Sequence, residues 1–402
     1  MSENLYTLPQ SWAWKKFGDI LHVERGGSPR PIDDYITTAS DGINWIKIGD
    51  TKNSTKYIYE TAEKIKPEGL KKSRLVVEGD FILSNSMSFG KPYIMKTTGC
   101  IHDGWLLLRP KNDNLDKEFL YYVLGSAFVY EQFKNKASGT TVKNLNSSLV
   151  KDVDIPLPPI QEQRRIVGKL DGLFAKIDKS IALLDESIAS ASALMPSALN
   201  EVFEELGEKW EKKKLDSFVK TTSGGTPLRS TKLFWNGNIP WLKSGELNDG
   251  LITQVEEFIT EDGLNHSSAK IFKKGTLLMA MYGATAGKLG FLDFDSSTNQ
   301  AICAILNDED VSNSKFIYYF LLKDRNKIIK DSFGGAQPNI SQNYIRAMEI
   351  PLPPLDIQTQ TVAYLDALHV KADALKKAQQ TKKEELLALK ASLLESAFKG
   401  EL

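Results

Sequence analysis

From Val167 to Val202 the apolar residues recur at alternating spacings of three and four: Val167, Leu170, Phe174, Ile177, Ile181, Leu184, Ile188, Ala191, Met195, Ala198 and Val202. A seam held over several heptads predicts a helix that packs along one long partner. Its start is marked by Pro156-Leu157-Pro158-Pro159-Ile160-Gln161-Glu162-Gln163, whose prolines favour an extended approach and exclude helix before Pro159. A helix from Ile160 to Leu206 rises roughly 70 Å at about 1.5 Å per residue, more than an ordinary globular core needs. Pro196 inside it predicts a kink or a local break. The entry motif returns as Pro351-Leu352-Pro353-Pro354-Leu355-Asp356-Ile357-Gln358, 351 − 156 = 195 residues later. A second apolar seam follows it: Leu365, Leu368, Ala372 and Leu375, then a polar middle with Gln379 and Lys382, then Leu386, Leu389 and Leu393. Polar seam residues lower stability and restrict register.

The repeat extends beyond the helices. Trp12 is answered by Trp210, Gly26-Gly27-Ser28-Pro29 by Gly224-Gly225-Thr226-Pro227, and Asn44-Trp45-Ile46-Lys47 by Pro240-Trp241-Leu242-Lys243. Gly79 pairs with Gly275, Gly90-Lys91 with Gly287-Lys288, and Phe119-Leu120-Tyr121-Tyr122 with Phe316-Ile317-Tyr318-Tyr319. These offsets run from 196 to 198, close to the 195 of the proline motif, so the chain reads as lobe, long helix, lobe, long helix. The boundaries are 1–155 and 207–350 for the lobes, and 156–206 and 351–402 for the helices. Short β-rich runs (Ile43–Ile48, Leu75–Leu83, Trp105–Leu108, Ala301–Leu306) and one helix-like segment per lobe (Leu115–Lys134, Val311–Lys330) predict α/β (α+β) lobes in tandem repeat. The two helices are expected to pair antiparallel as a coiled coil, giving a pseudo-two-fold repeat.

Composition narrows the chemistry. With 51 basic and 51 acidic residues the formal net charge is zero, which neither favours nor excludes a nucleic-acid partner, because one groove can still be lined with lysine and arginine. No apolar run is long enough to span a bilayer and no signal peptide is evident, so a cytoplasmic location is expected. Cys100 and Cys303 are too few for a disulfide framework, and His22, His102, His266 and His369 lack metal-ligand spacing. Gly283-Ala284-Thr285-Ala286-Gly287-Lys288 is no phosphate loop: three residues separate its glycines, and Leu289 stands where a magnesium-binding hydroxyl belongs. No methyltransferase motif is present. The expectation is therefore a chain with no catalytic residues, no metal and no cofactor of its own.

What remains is polar loops with basic and amide residues at matching places. Arg30 and Arg229 follow the glycine loops, and an arginine can pair bidentately with guanine. Lys47, Lys52, Lys91, Lys143, Lys243 and Lys288 are candidates for phosphate contacts. Asn85, Asn144, Gln337 and Asn339 are candidates for adenine edges. Ser28, Asp50, Ser84, Ser88, Thr140, Thr141, Thr226, Ser230, Glu246 and Tyr282 complete the DNA-binding candidates. Any one of them alone is also what a solvated loop carries; their recurrence in two lobes is the stronger signal.

The two Pro-Leu-Pro-Pro-x-x-x-Gln helix starts, the Gly-Gly-Ser/Thr-Pro loops, and the helix ends Ser197-Ala198-Leu199 and Leu394-Glu395-Ser396-Ala397-Phe398 together resemble the specificity subunits of type I restriction–modification enzymes. The resemblance covers essentially the whole chain. It implies two target-recognition lobes that each read half of a gapped, bipartite double-stranded DNA site, and helices that set the spacing and dock two modification subunits. S-adenosylmethionine, ATP and Mg2+ are then expected on the modification and restriction subunits. Two alternatives stay open on the sequence: the specificity subunit of a related bipartite-site enzyme of the type IIB kind, and a coiled-coil adaptor whose lobes bind protein.

Overall fold

Each proline run lies on a strand that feeds a long helix. In the computed structural model, which describes residues 6–52, 54–85, 89–137, 144–332 and 339–402, Ala13–Lys16 pairs antiparallel with Asp154–Leu157, placing Trp14 opposite Pro156. Lys212–Lys214 pairs likewise with Glu349–Pro351. Proline has no N–H to give a ladder, and these two-stranded edges do not require it. The helices that follow span Ile160–Lys209 and Leu355–Lys399. Pro196 does not break the first: helix continues on both sides of it.

The chain divides into two units, Met1–Leu184 with Thr381–Leu402, and Asp185–Gln380. Among the described residues, the first contains a five-stranded sheet in the order Leu21–Arg25, Trp105–Pro110, Phe81–Ser84, Pro92–Met95, Tyr57–Ile58. The second unit repeats it strand for strand: Val219–Ser223, Ile302–Asn307, Leu277–Ala280, Leu289–Leu292, Gly250–Ile252. Each also has a second sheet around its tryptophan strand, five-stranded with Ile43–Ile46 in the first unit and four-stranded with Trp235–Leu242 in the second. The expected α/β lobes are thus present twice. The helix-like segment expected over Leu115–Lys134 is two helices, Lys117–Leu124 and Ala127–Lys136. Ser126 makes the break, its hydroxyl accepting from Val129 N at 3.3 Å and donating to Val123 O at 2.7 Å. The second lobe keeps one helix, Ser314–Lys330.

Each lobe buries one sheet face against its own end of the helix pair. In the first unit Leu170, Phe174 and Ile177 join the lobe core together with Ala397 and Phe398 from the far end of the chain. In the second, Ala198, Leu199, Phe203 and Leu206 meet Val362 and Leu365. Ile181, Leu184 and Ile188 are half-buried on the first helix, as are Leu368, Leu386 and Leu393 on the second. Two expected packing residues are not on the seam. Leu375 is 41% and Leu389 45% exposed. The second helix keeps Leu365, Ala372, Gln379, Leu386 and Leu393 inward at sevens. Over its last turns the companion position is the fourth residue on, Lys390 and Ala397, so Leu389 turns to solvent, and Leu375 falls between the stretches that join the two lobe cores. Lys390 bonds Asp178 at 2.7 Å and lies 4.8 Å over the Phe174 ring.

Candidate nucleic-acid interface

The Gly-Gly loops and the tryptophan strands converge on one frame that is built twice. A Cβ on Gly26 would stand 2.1 Å from the His102 carbonyl oxygen, and one on Gly224 2.0 Å from that of Thr298, so only glycine lets these loops cross the strand ends. The Ser28 hydroxyl then donates to Asp103 Oδ1 at 2.8 Å, and the Thr226 hydroxyl to Gln300 Oε1. Trp45 and Trp241 form the floor, 2% and 1% exposed. Beside them Lys47 N donates to Asp50 Oδ2 and Lys243 N to Glu246 Oε2, both at 2.7 Å. The other carboxylate oxygens accept from Ala62 N at 3.1 Å and Glu256 N at 2.9 Å. Asp50 and Glu246 therefore shape the turn. The result is an open cleft of about 520 Å³ in the first unit and about 570 Å³ in the second.

The charged groups in these clefts are paired. Lys47 meets Glu63, and Lys243 meets Glu256 at 2.7 Å and Glu257 at 3.1 Å. Arg30 reaches Asp103 at 3.5 Å with 81% of its side chain exposed. Arg229 pairs with Glu257 while its guanidinium lies 3.8 Å over Trp235 and 4.8 Å over Trp241. The hydrogen bond from Ser28 holds the Asp103 carboxyl below its ordinary range, and that from Arg229 does the same for Glu257. Burial lowers the His102 imidazole despite neighbouring Asp103. His102 Nε2 lies 3.1 Å from Ile48 N, the role of a satisfied structural histidine.

The remaining candidates divide by exposure. In the second unit the Tyr282–Lys288 loop is tied down: Thr285 donates to Ser244 O at 3.0 Å, Lys288 pairs with Asp249 at 2.7 Å, and Arg325 bonds both Asp249 and Gly287 O. Tyr282 forms an isolated bridge with exposed Asn339. In the first unit Ser84 and Asn85 are 0% and 1% exposed; Ser84 Oγ accepts from Lys91 N and Asn85 Nδ2 donates to Asp103 O, so both brace the scaffold and neither presents a side chain outward. Lys52, Lys91, Asn144 and Ser230 are exposed. Ser88, Thr140, Thr141, Lys143 and Gln337 lie outside the described residues. Sequence reasoning missed Glu63, Glu257, Gln300 and Trp235, because only the folded loops bring Lys47 beside Glu63, Arg229 beside Glu257 and Trp235, and Thr226 beside Gln300. Among the described residues no group of His, Cys, Asp or Glu is placed to hold a metal, and no helix is long and apolar enough to cross a membrane.

The type I restriction modification DNA specificity domain matches residues 9–186 and again 207–385. The chain belongs to that family. It is a specificity subunit with two tandem DNA specificity domains, a recognition chain and not a catalytic one. Similar chains include the type I restriction enzyme MjaIX specificity subunit of Methanocaldococcus jannaschii, 26% identical over 87% of this chain and 85% of that one. The EcoBI specificity subunit of Escherichia coli is 21% identical over 99% and 88%. The fold is shared with a chain from a solved type I R-M system, at a TM-score of 0.83 and 23% identity over 99% of this subunit and 100% of that chain. It is shared with the HsdS subunit from Thermoanaerobacter tengcongensis, at 0.62 and 22% over the full length of both.

Proposed function

We propose that each lobe of this specificity subunit reads one half of a bipartite, gapped double-stranded DNA site, and that the helix pair sets the gap and docks two modification subunits. Residues 1–155 and 207–350 are the recognition domains, and 156–206 and 351–402 the spacers. The observation that carries this reading is the frame built twice with different side chains at matched places: Asp103 answers Gln300, and His102 answers Asn299. A shared scaffold suits the DNA backbone common to every sequence, and the differing residues suit half-sites that differ. No cofactor belongs to this chain on this reading; S-adenosylmethionine, ATP and Mg2+ act on the modification and restriction subunits.

Two experiments test it. Methylated adenines mapped in the source genome with and without the gene are expected to reveal one gapped motif that disappears with the gene; an unchanged methylome refutes the reading. The spacer role is tested by inserting four helix-forming residues after Leu184. From Pro159 to Phe203 is 203 − 159 = 44 residues, and from Pro354 to Phe398 is 398 − 354 = 44, so both helices present their lobe-core phenylalanine at one spacing, which the insertion changes on one helix only. Four residues add roughly 6 Å of rise and about 40° beyond a full turn. At about 3.4 Å per base pair, the gap is expected to lengthen by one to two base pairs with both half-sites unchanged. An active insertion variant with its old gap refutes the spacer role.

A further inference from the structure

Each lobe is fastened to its long helix at two polar points, and neither point touches the clefts described above. At the first, the Gln163 side chain is wholly buried: Nε2 donates to Asn114 O at 3.1 Å and Pro158 O at 2.9 Å, and Oε1 accepts from Asp116 N at 2.8 Å. Gln358 repeats this with Val311 O at 3.0 Å, Pro353 O at 2.8 Å and Asn313 N at 2.9 Å. Asp116 and Asn313 are the N-caps of the lobe helices Lys117–Leu124 and Ser314–Lys330, so the glutamine grips the lobe helix at its origin. At the second point the Tyr122 hydroxyl donates to Asp171 Oδ1, and the Tyr319 hydroxyl to Asp366 Oδ1 at 2.6 Å.

The spacing between the points gives them their effect. From Gln163 to Asp171 is 171 − 163 = 8 residues and from Gln358 to Asp366 is 366 − 358 = 8, or roughly 12 Å along each helix. Apolar contact, through Leu170, Phe174 and Phe398 in the first unit, holds a lobe on its helix without directional preference, and two hydrogen-bonded points set apart along the helix add the direction it lacks. The glutamine cannot be exchanged for its acid without loss, because a carboxylate has no N–H donors and would face two carbonyl oxygens. We propose that Gln163, Tyr122 and Asp171, with Gln358, Tyr319 and Asp366, are positioning residues that fix the angle of each recognition lobe on its helix and so restrict the complex to one gap length. The proposal rests on the reading of the lobes as half-site readers.

The test uses the full complex with its modification subunits and a plasmid library carrying both half-sites at every gap within two base pairs of the cognate. Wild type is expected to methylate one gap. The double variant Tyr122→Phe with Tyr319→Phe, which removes one oxygen per lobe, is expected to raise methylation at neighbouring gaps roughly tenfold relative to the cognate, with both half-site sequences kept. Gln163→Glu is expected to do the same more strongly. Asp171→Asn should behave as wild type, because the amide oxygen still accepts the Tyr122 hydroxyl, whereas Asp171→Ala should not; Asp366 is left intact in this arm because its other carboxylate oxygen pairs with Lys315 at 2.6 Å. A single unchanged gap in the tyrosine variant, or an even loss across all gaps, overturns the proposal. The tyrosine pair decides even where Gln163→Glu fails to assemble. A wild-type complex that methylates no gapped site overturns instead the reading beneath it.

Discussion

Phe398 offers a direct test of how the first lobe is completed. It lies in the last turn of the second long helix, 2% exposed, and meets Phe119 edge-on at 5.8 Å and 84°. Its counterpart Phe203, 4% exposed, lies 5.2 Å from Phe316. Truncating such a ring to alanine costs about 3–5 kcal/mol, of which the edge-to-face pair supplies about 0.5–1.5 kcal/mol. Against the roughly 5–15 kcal/mol that holds a domain together, Phe398→Ala should leave the first lobe marginal. Native-state hydrogen exchange reads each lobe separately. Phe398→Ala is expected to lower protection in Phe81–Ser84 and Trp105–Pro110 by that amount and to spare Leu277–Ala280 and Ile302–Asn307, with Phe203→Ala doing the converse. A loss under about 1 kcal/mol, or an equal loss in both lobes, would show that the helix end is not part of the first lobe's core.

Arg229→Ala is expected to relax reading of one base in one half-site at a cost of about 1–3 kcal/mol, whereas Lys91→Ala should weaken all sequences evenly and lower the salt slope by about one unit. Competition binding by the assembled complex separates them, and an even weakening by Arg229→Ala rejects a base-reading role. Burial raises the Asp249 carboxyl, but Lys288, the Leu289 N–H and Arg325 outweigh it and hold it below its ordinary range. A lowered carboxylate stabilises the fold above its unfolded value near pH 4 and loses that contribution as pH falls through the folded value, so the second unit should weaken on acidification below about pH 4. Asp249→Asn should flatten that part of the acid-unfolding curve, and asparagine tolerates the φ of 68° found there. An unchanged acid slope in the variant removes Asp249 from the account.

Periodicity and repetition made the architecture legible: the proline starts, the first helix seam and the twofold lobe all follow from spacing in the sequence. Side-chain pairing was less accessible. Asn85 reads as an exposed amide in a loop, yet its position at a strand end turns it inward onto Asp103 O. Lys47 and Lys243 read as free cations because Glu63 and Glu257 come from strands that only the sheet brings beside them. The repeated glutamines were visible as a motif, but their grip on the lobe-helix caps depends on backbone atoms nearly fifty residues away. Leu375 and Leu389 fit an ideal heptad, yet which leucines face inward is decided by where each lobe core reaches the helix, and neither residue is in one.

The same repeat places the two lobes under different folding constraints. In the second unit, chain continuous from Phe203 through Trp210 to Lys214 supplies both the helix end and the first edge strand. In the first unit that place is filled from both ends of the sequence: Tyr6 donates to Phe398 O at 2.8 Å across 392 residues, and Gly400 packs against Pro9 and Trp12. Contacts so distant in sequence carry a larger loop-closure entropy and form later. The second unit contains all its own residues by Gln380, whereas the first needs Thr381–Leu402. The lobe made first is therefore expected to be completed last. Pulsed hydrogen exchange during refolding should show Leu277–Ala280 and Ile302–Asn307 protected before Phe81–Ser84 and Trp105–Pro110. Phe398→Ala should widen that interval and Phe203→Ala should narrow it. Simultaneous protection of both lobes, or earlier protection of the first, would show that its core forms without the distant helix end and that Phe398 only caps a lobe already folded.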